Sequence, residues 1–367
     1  MKNYNFLIAA GGTGGHLFPA IAVVEELSKL SKDFSFHFCG RKDKLEGKII
    51  PSLGYQFHPI EIEGIKSLFS IRNILLPFKI KQSENIVKKL IKKYNIDAVI
   101  ATGAYISYPP SIAGVKSNVP LFLMESNFNP GKTISILAKN ATAIFTSFQE
   151  TKDFFHNKPV GKLIYTGNPI RNTFENILSK EEACLKLNLD PSKKVVFIFG
   201  GSLGSKAIND VVENNLDKFI NNDIQIIWQT GDTYSQKANS DLPKGILRFN
   251  FIDDMATCYS ASDLVVSRSG ASTLSEIALV GKPAIFIPLT IASNNEQEYN
   301  ARYFEKMGAS VVLNQNSISV TLFNTISDLV GNPNKLKEME LCTKRLAKPN
   351  AASDIANYIV KYLEDKI

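Results

Sequence analysis

Apolar residues along this chain fall in short unbroken runs, separated by stretches with helical spacing, and the two kinds alternate from end to end. Residues 4–10, 98–101, 121–124, 143–146 and 163–165 read as strands buried on both faces. Residues 20–30 read as an amphipathic helix. A second helix, with Ser83 as its N-cap, would place Ile86, Val87, Leu90, Ile91 and Tyr94 on one face. This alternation predicts an α/β fold, with parallel sheets covered by helices on both sides.

The first strand runs directly into Gly11-Gly12-Thr13-Gly14-Gly15-His16-Leu17-Phe18-Pro19. Glycines let a backbone approach a ligand closely, and a helix start offers N–H groups and a positive dipole. The segment therefore suits phosphate or sugar, with His16 at its mouth, although a tight turn with an incidental histidine fits it too. It lacks the first glycine of the dinucleotide fingerprint, because Ala10 stands there, and no G-K-[ST] follows. The unit then starts again: strand 194–199, the loop Gly200-Gly201-Ser202-Leu203-Gly204-Ser205, and a helical stretch over 206–219. Two Rossmann-like domains follow, 1–166 and 167–349, joined near Gly167-Asn168-Pro169. A last helix, at about 350–367, is free to pack back on the first domain. Ligands bind at the carboxyl ends of such sheets, and two such edges facing each other would form a cleft in which two substrates meet.

A length of 367 residues fits two domains, and 44% apolar content supports a sizeable core. The four cysteines, Cys39, Cys184, Cys258 and Cys342, show no C-x-x-C spacing and are expected to be reduced, in a cytosolic setting. The N-terminal residues do not read as a signal peptide, and no apolar run approaches the ~20 residues needed to span a bilayer. A soluble or peripheral protein is expected. The net charge of +7 is spread over helices, without a long basic run, and reads mainly as a solvated basic surface rather than a nucleic-acid site.

The densest chemistry lies between Phe251 and Ala301. Phe251-Ile252-Asp253-Asp254-Met255 closes a strand and starts a short helix. Ser267-Arg268-Ser269-Gly270-Ala271-Ser272-Thr273 leads from a strand into a helix carrying Glu276. Hydroxyls and amides at a helix start suit a diphosphate, and a glutamate further along could accept both hydrogen bonds of a ribose diol. A capped helix accounts for the same residues equally well. Asn294-Asn295-Glu296-Gln297-Glu298 crowds another helix start with groups that match sugar hydroxyls, or simply cap it.

These motifs, in this order, resemble the MurG family. Its members are the UDP-N-acetylglucosamine transferases that convert lipid I to lipid II in peptidoglycan synthesis, and so serve cell shape and division. The likeness rests on GGTGGH-x-x-P, GNP-x-R at Gly167–Arg171, GGS-x-G, FIDDM, SRSGA-x-T-x-SE, N-x-Q-x-x-NA and Lys348-Pro349-Asn350-Ala351-Ala352. It implies a GT-B fold with two Rossmann-like domains, inversion at the transferred sugar, and no cofactor or catalytic metal. UDP-N-acetylglucosamine would bind the second domain: Ile252 would read uracil through its backbone, lined by Phe251 and Met255, and Glu276 would hold ribose. Ser202, Gly204 and Ser269 would bind the phosphates with Arg171 nearby, and Gln297 would contact the sugar. In the first domain Thr13, Gly14, Gly15, His16 and Asn127 would flank lipid I and the donor sugar. Two positions depart from the family. Met124-Glu125-Ser126-Asn127 stands where His-Glu-Gln-Asn is common, and Glu296 stands where His or Gln is common.

Inverting transfer needs a base on the acceptor hydroxyl. Of His16, His37, His58 and His156, only His16 lies in a ligand-type loop, so it is the expected base, with Glu125 the second candidate. Leaving-group charge would fall to the Gly200–Ser205 loop, helix N-termini and Arg171. The stretch 64–81 carries Ile65, Leu68, Phe69, Leu75, Leu76 and Phe78 beside Lys66, Arg72 and Lys79. By itself it also reads as ordinary core cover. A lipid acceptor turns it into an expected contact with an anionic membrane, peripheral at the cytoplasmic face of the inner membrane. A UDP-GlcNAc 2-epimerase and a non-catalytic sugar-nucleotide or lipid-binding subunit remain competing readings.

Overall fold

The computed structural model describes residues 3–64, 75–155, 161–171, 174, 177–232, 234, 242–289 and 295–366. Ile65, Leu68 and Phe69 of the expected membrane face lie outside the described residues, with Lys66, Arg72, His156 and Asn294. The chain divides into two compact units, Met1–Arg171 with Lys348–Ile367, and Asn172–Ala347.

In the first unit the strands are β1 (Asn5–Ala9), β2 (Ser35–Gly40), β3 (Gln56–Pro59), β4 (Ala98–Ala101), β5 (Leu121–Glu125), β6 (Ala143–Thr146) and β7 (Lys162–Tyr165). The outer strands β3 and β7 are partly exposed, so 163–165 is not buried on both faces as expected. Among the described residues they form one parallel sheet, ordered β3-β2-β1-β4-β5-β6-β7. Strand alternation sends Phe6 and Ile8 to one face, against Leu17 and Val24 of the helix Gly14–Leu30. Leu7 and Ala9 face the other side, with Val87, Ile91 and Ile134. Burial on both faces explains why the inner strands β1, β4, β5 and β6 read as largely apolar runs. The last helix, Ala351–Glu364, closes the first face with Ile355, Ile359 and Leu363. The rings of Tyr358 and Tyr362 lie edge-on to Phe145 and Phe122, each pair at 5.5 Å.

Three local expectations are corrected. The helix expected over 20–30 begins at Gly14, with Pro19 inside it, because Thr13 supplies an extended cap residue at φ −146°. Ser83 is no N-cap. The helix Leu76–Tyr94 starts earlier, with Pro77 in its first turn where a missing N–H costs nothing. Ser83 is buried and donates to the Glu61 carbonyl at 2.9 Å. The unit boundary falls at Arg171 rather than Gly167. Gly167 (φ +89°) is packed so closely that a Cβ there would lie 2.3 Å from Lys348 Cβ, and the Arg171 guanidinium stacks 4.0 Å over the Phe18 ring.

The second unit repeats the plan with β8 (Lys194–Phe199), β9 (Ile224–Gln229), β10 (Ile246–Phe249), β11 (Leu264–Ser267), β12 (Ala284–Phe286) and β13 (Ser310–Val312). These are parallel, ordered β10-β9-β8-β11-β12-β13. Val196, Ile198, Ile226 and Trp228 pack against Ile208, Leu322 and Ile326. The stretch expected as one helix over 206–219 is two, Lys206–Glu213 and Leu216–Asn221. Asn215 interrupts it, its side-chain amide donating back to the Val211 carbonyl at 2.7 Å.

All four cysteines are free, and burial pushes the Cys39 and Cys258 thiols up to about 12. No helix among the described residues is long and apolar enough to cross a membrane.

Candidate active site

In each sheet the strand order reverses beside the first strand of the unit, and a glycine loop leaves that strand's carboxyl end, where ligands bind in such folds. In the first unit the loop rests on a carboxylate that sequence reading did not single out. Glu46 is fully buried, accepting from the Gly12 N–H and from the Arg41 N–H, both at 3.0 Å. A Cβ on Gly11 would lie 2.4 Å from the Glu46 carboxyl carbon, so the loop can sit this low only with glycine there.

Gly14 and Gly15 open the following helix, at positions whose N–H groups have no intrahelical acceptor. Thr13 does not cap that helix with its side chain; its Oγ1 lies 2.9 Å from His16 Nδ1 instead. The His16 ring packs against Gly103, at the end of β4, where a Cβ would be 3.7 Å from its Cδ2. Although its surface is partly open, this packing desolvates the imidazolium and lowers its pKa to about 4. His37 and His58 are elsewhere, hydrogen-bonded to each other at 3.1 Å between β2 and β3.

Glu125 ends β5 and is buried. Its Oε1 accepts from the Asn127 N–H at 2.8 Å and its Oε2 from the Gly131 N–H at 2.9 Å. Both oxygens thereby brace the turn over 126–131. That turn presents Asn127 on the same sheet edge as His16.

The second glycine loop is fixed by backbone contacts. Gly204 (φ +74°) donates its N–H to the Gly201 carbonyl at 3.0 Å, and a Cβ there would lie 1.8 Å from the Thr230 carbonyl oxygen. Ser202 is exposed on this turn. Gln229, buried at the end of β9, donates to the Gly201 carbonyl at 3.0 Å and accepts from the Ile252 N–H at 2.8 Å. It links the loop to the segment expected to read a base. The Ile252 amide is therefore already committed, so a backbone reading there falls to its carbonyl. Phe251 is exposed, and Met255 opens the helix Met255–Ala261. Asp254 caps that helix at 3.1 Å, and the Lys186 ammonium holds its carboxyl down at about 2.

Glu276 sits on the helix Ala271–Val280, where Tyr259, fully buried, donates its hydroxyl to Oε2 at 3.0 Å. Burial and the neighbouring carboxylate raise the Tyr259 pKa well above its ordinary value, so it remains a donor. Ser269 is not open to a ligand. It is fully buried, and its hydroxyl donates to the Gln297 carbonyl at 2.7 Å, which anchors the helix Glu296–Lys306. Gln297 accepts from the Leu289 N–H at 3.0 Å. Glu296, which departs from the family pattern, is partly buried, and desolvation raises its pKa. Arg268 fastens the loops after three strands, donating to Ser205 Oγ (2.8 Å), the Ile287 carbonyl (2.9 Å) and Gln315 Oε1 (2.6 Å).

Thr13, Gly14, Gly15, His16 and Asn127 thus share the carboxyl edge of the first sheet. Ser202, Gly204, Ile252, Glu276 and Gln297 lie at or just beyond the carboxyl ends of the second sheet's strands. Arg171 belongs to the first unit, on Phe18. Glu46, Gln229 and Tyr259 escaped sequence reading because each acts from a distant part of the chain, without local spacing to announce it. Among the described residues no cluster of three or more His, Cys, Asp or Glu side chains could hold a metal ion. Of the expected membrane residues, Phe78 is 72% and Leu75 56% exposed; Leu76 is half-buried, and Lys79 pairs with Glu63 at 2.6 Å.

Residues 6–146 match the glycosyltransferase family 28 N-terminal domain, and residues 195–355 match the C-terminal domain of the same family. The chain is 36% identical to the UDP-N-acetylglucosamine–N-acetylmuramyl-(pentapeptide) pyrophosphoryl-undecaprenol N-acetylglucosamine transferase of Finegoldia magna, over 98% of both chains. It is 34% identical to the protein of the same description from Christiangramia forsetii, again over 98% of each. The crystal structure of Acinetobacter baumannii MurG superposes with a TM-score of 0.76 at 26% identity, covering 98% of this chain and 99% of that one. Two parallel Rossmann-like units, each with a glycine loop at its switch point, and full-length likeness to these transferases agree: the chain belongs to glycosyltransferase family 28.

Proposed function

We propose that this chain transfers N-acetylglucosamine from UDP-N-acetylglucosamine to the muramyl 4-hydroxyl of N-acetylmuramyl-(pentapeptide) pyrophosphoryl-undecaprenol, lipid I, with inversion at the transferred carbon. The observation that carries the reading is the desolvated, neutral His16 at the head of the first glycine loop, in a chain that matches such transferases along its whole length. With its proton on Nδ1, donated to Thr13 Oγ1, the imidazole offers the Nε2 lone pair to the acceptor hydroxyl. The hydroxyl oxygen attacks the anomeric carbon, its proton passes to Nε2, and the bond to the diphosphate breaks with the electron pair leaving on UDP. The second glycine loop and the N-terminus of the helix Ala271–Val280 would meet that charge without a divalent ion.

Transfer of labelled N-acetylglucosamine to a short-chain acceptor analogue, with EDTA present, tests this. Product that disappears in His16→Ala supports the base and the metal-free step together. Formation of UDP-N-acetylmannosamine without acceptor would instead favour an epimerase.

Glu276 is the proposed ribose acceptor, and Tyr259 aims it. Tyr259→Phe removes one hydrogen bond of about 1 kcal/mol, so KM for the donor should rise about five-fold with kcat nearly unchanged. Preference for UDP over its 2′-deoxy analogue should narrow in the same variant. An unaltered preference would show that Tyr259 serves packing alone.

The proposed location is peripheral, on an anionic membrane at the cytoplasmic face. Exposed Leu75 and Phe78, at the start of a helix that continues with lysines, support it. A Leu75→Asp, Phe78→Asp double variant should lose sedimentation with vesicles containing phosphatidylglycerol. Undiminished binding would refute that face.

A further inference from the structure

The second unit has another concave site, at the end of its sheet opposite the glycine loop. Lys194 begins β8, Asp263 precedes β11, and Lys282 and Pro283 precede β12. Because the strands are parallel, these three amino ends share one edge. They form the floor of a pocket of about 340 Å³, a size that suits a small ligand. Its walls come from Lys180 and from the helix Pro333–Arg345, which contributes Lys337, Glu340 and Lys344.

The charges here do not balance. Asp263 is shared between Lys180 at 2.8 Å and Lys194 at 3.7 Å, and it also accepts from the Val195 N–H at 2.8 Å. Glu340 is shared between Lys337 at 3.2 Å and Lys344 at 2.5 Å. Lys282 donates to the Ser262 and Ser260 carbonyls, at 2.7 and 3.3 Å. Among the described residues, five ammonium groups thus face two carboxylates, a surplus of three positive charges in one depression. Burial lowers the Lys282 pKa; Asp263 and Glu340 oppose that shift, while Lys180 and Lys344 add to it. Backbone geometry preserves this crowding: Gly281 (φ +68°) lets the Lys344 stem pass where a Cβ would lie 2.4 Å from Lys344 Cγ. Between the lysines the wall is apolar, made by Val280, Pro333 and Leu336.

We infer that this pocket binds an organic polyphosphate of nucleotide size carrying three or more negative charges, separately from the proposed donor site. The lysines take the phosphates, and the apolar wall takes the carbon-bearing part. Nothing in the transfer chemistry uses these residues, which lie at the far edge of the same sheet from Ser202.

Calorimetric titration of the full chain, first saturated with UDP to occupy the donor site, tests the inference with ATP as probe and tripolyphosphate as second arm. One further equivalent is expected to bind, more weakly as salt rises. In Lys337→Gln, Lys344→Gln, both changes on a solvent-facing helix surface, its affinity should fall about tenfold or more, because two ammonium–phosphate pairs can no longer form. UDP affinity and melting temperature should hold. Tighter binding of ATP supports the nucleotide; equal binding of tripolyphosphate supports the site and assigns it to the phosphate chain. No further equivalent in either arm, or equal affinity in the double variant, overturns the proposal.

Discussion

Replacing His16 by alanine should lower kcat by roughly two to four powers of ten, the usual range for loss of a general base. KM for UDP-N-acetylglucosamine should change far less than kcat, since the proposed contacts to the nucleotide part of the donor lie on the other unit. The pH profile adds an independent check. Because desolvation holds the His16 pKa at about 4, the imidazole is neutral throughout the physiological range and becomes protonated only as pH falls through about 4. Protonation removes the lone pair, so kcat/KM should fall on the acid side of that value, as far as the fold survives there. The residual activity of His16→Ala should lack this limb. A limb near 6.5 would mean that the ring is solvated and the packing against Gly103 is not maintained. A fall in rate of less than tenfold in His16→Ala would remove the base assignment. Glu125, which accepts from the amides of Asn127 and Gly131, would then be the next candidate to test.

Gly204→Ala should abolish measurable UDP binding and lower the melting temperature. Two effects add at this position. The residue is left-handed, which costs a residue bearing a Cβ about 1–2 kcal/mol. The new Cβ would also fall 1.8 Å from the Thr230 carbonyl oxygen, a backbone atom that cannot swing aside as a side-chain tip can. A Cβ on Gly231 would meet the same strand–loop contact from the other side, 2.3 Å from the Leu203 carbonyl oxygen. The loop over 201–204 must therefore lift off 230–231, breaking the Gln229–Gly201 hydrogen bond that ties the loop, through Gln229, to Ile252. Gly201 provides the control. It too is left-handed, at φ +91°, but a Cβ there meets nothing within 4 Å, so Gly201→Ala should carry only the conformational cost. Equal losses in the two variants, by calorimetry with UDP and by thermal unfolding, would show that the Thr230 contact is not what positions the loop.

The alternation of apolar runs and helical spacing was enough to read the α/β class and most strands, because strands buried on both faces announce themselves without reference to partners. The glycine loops were equally legible, since only glycine tolerates those backbone angles and approaches. Reading failed where a residue's neighbour is remote. Ser83 looks like an N-cap by type and position, yet the Glu61 carbonyl claims its hydroxyl across the fold. Ser269 looks like a phosphate ligand, yet the Gln297 carbonyl claims it.

The sequence by itself determined two glycine-loop Rossmann-like units, the family, and the short set of residues from which a base and a donor pocket could be drawn. Those signals are local: hydrophobic period, glycine spacing and motif order survive without coordinates. Only the tertiary structure decided which of those residues remain open to a substrate and which are consumed by the fold. It set Glu46 beneath the first loop, Gln229 between the second loop and Ile252, and Tyr259 behind Glu276. Hydrogen bonds between distant segments are fixed by how helices and strands pack, and a buried polar group must find such a partner wherever the chain happens to bring one.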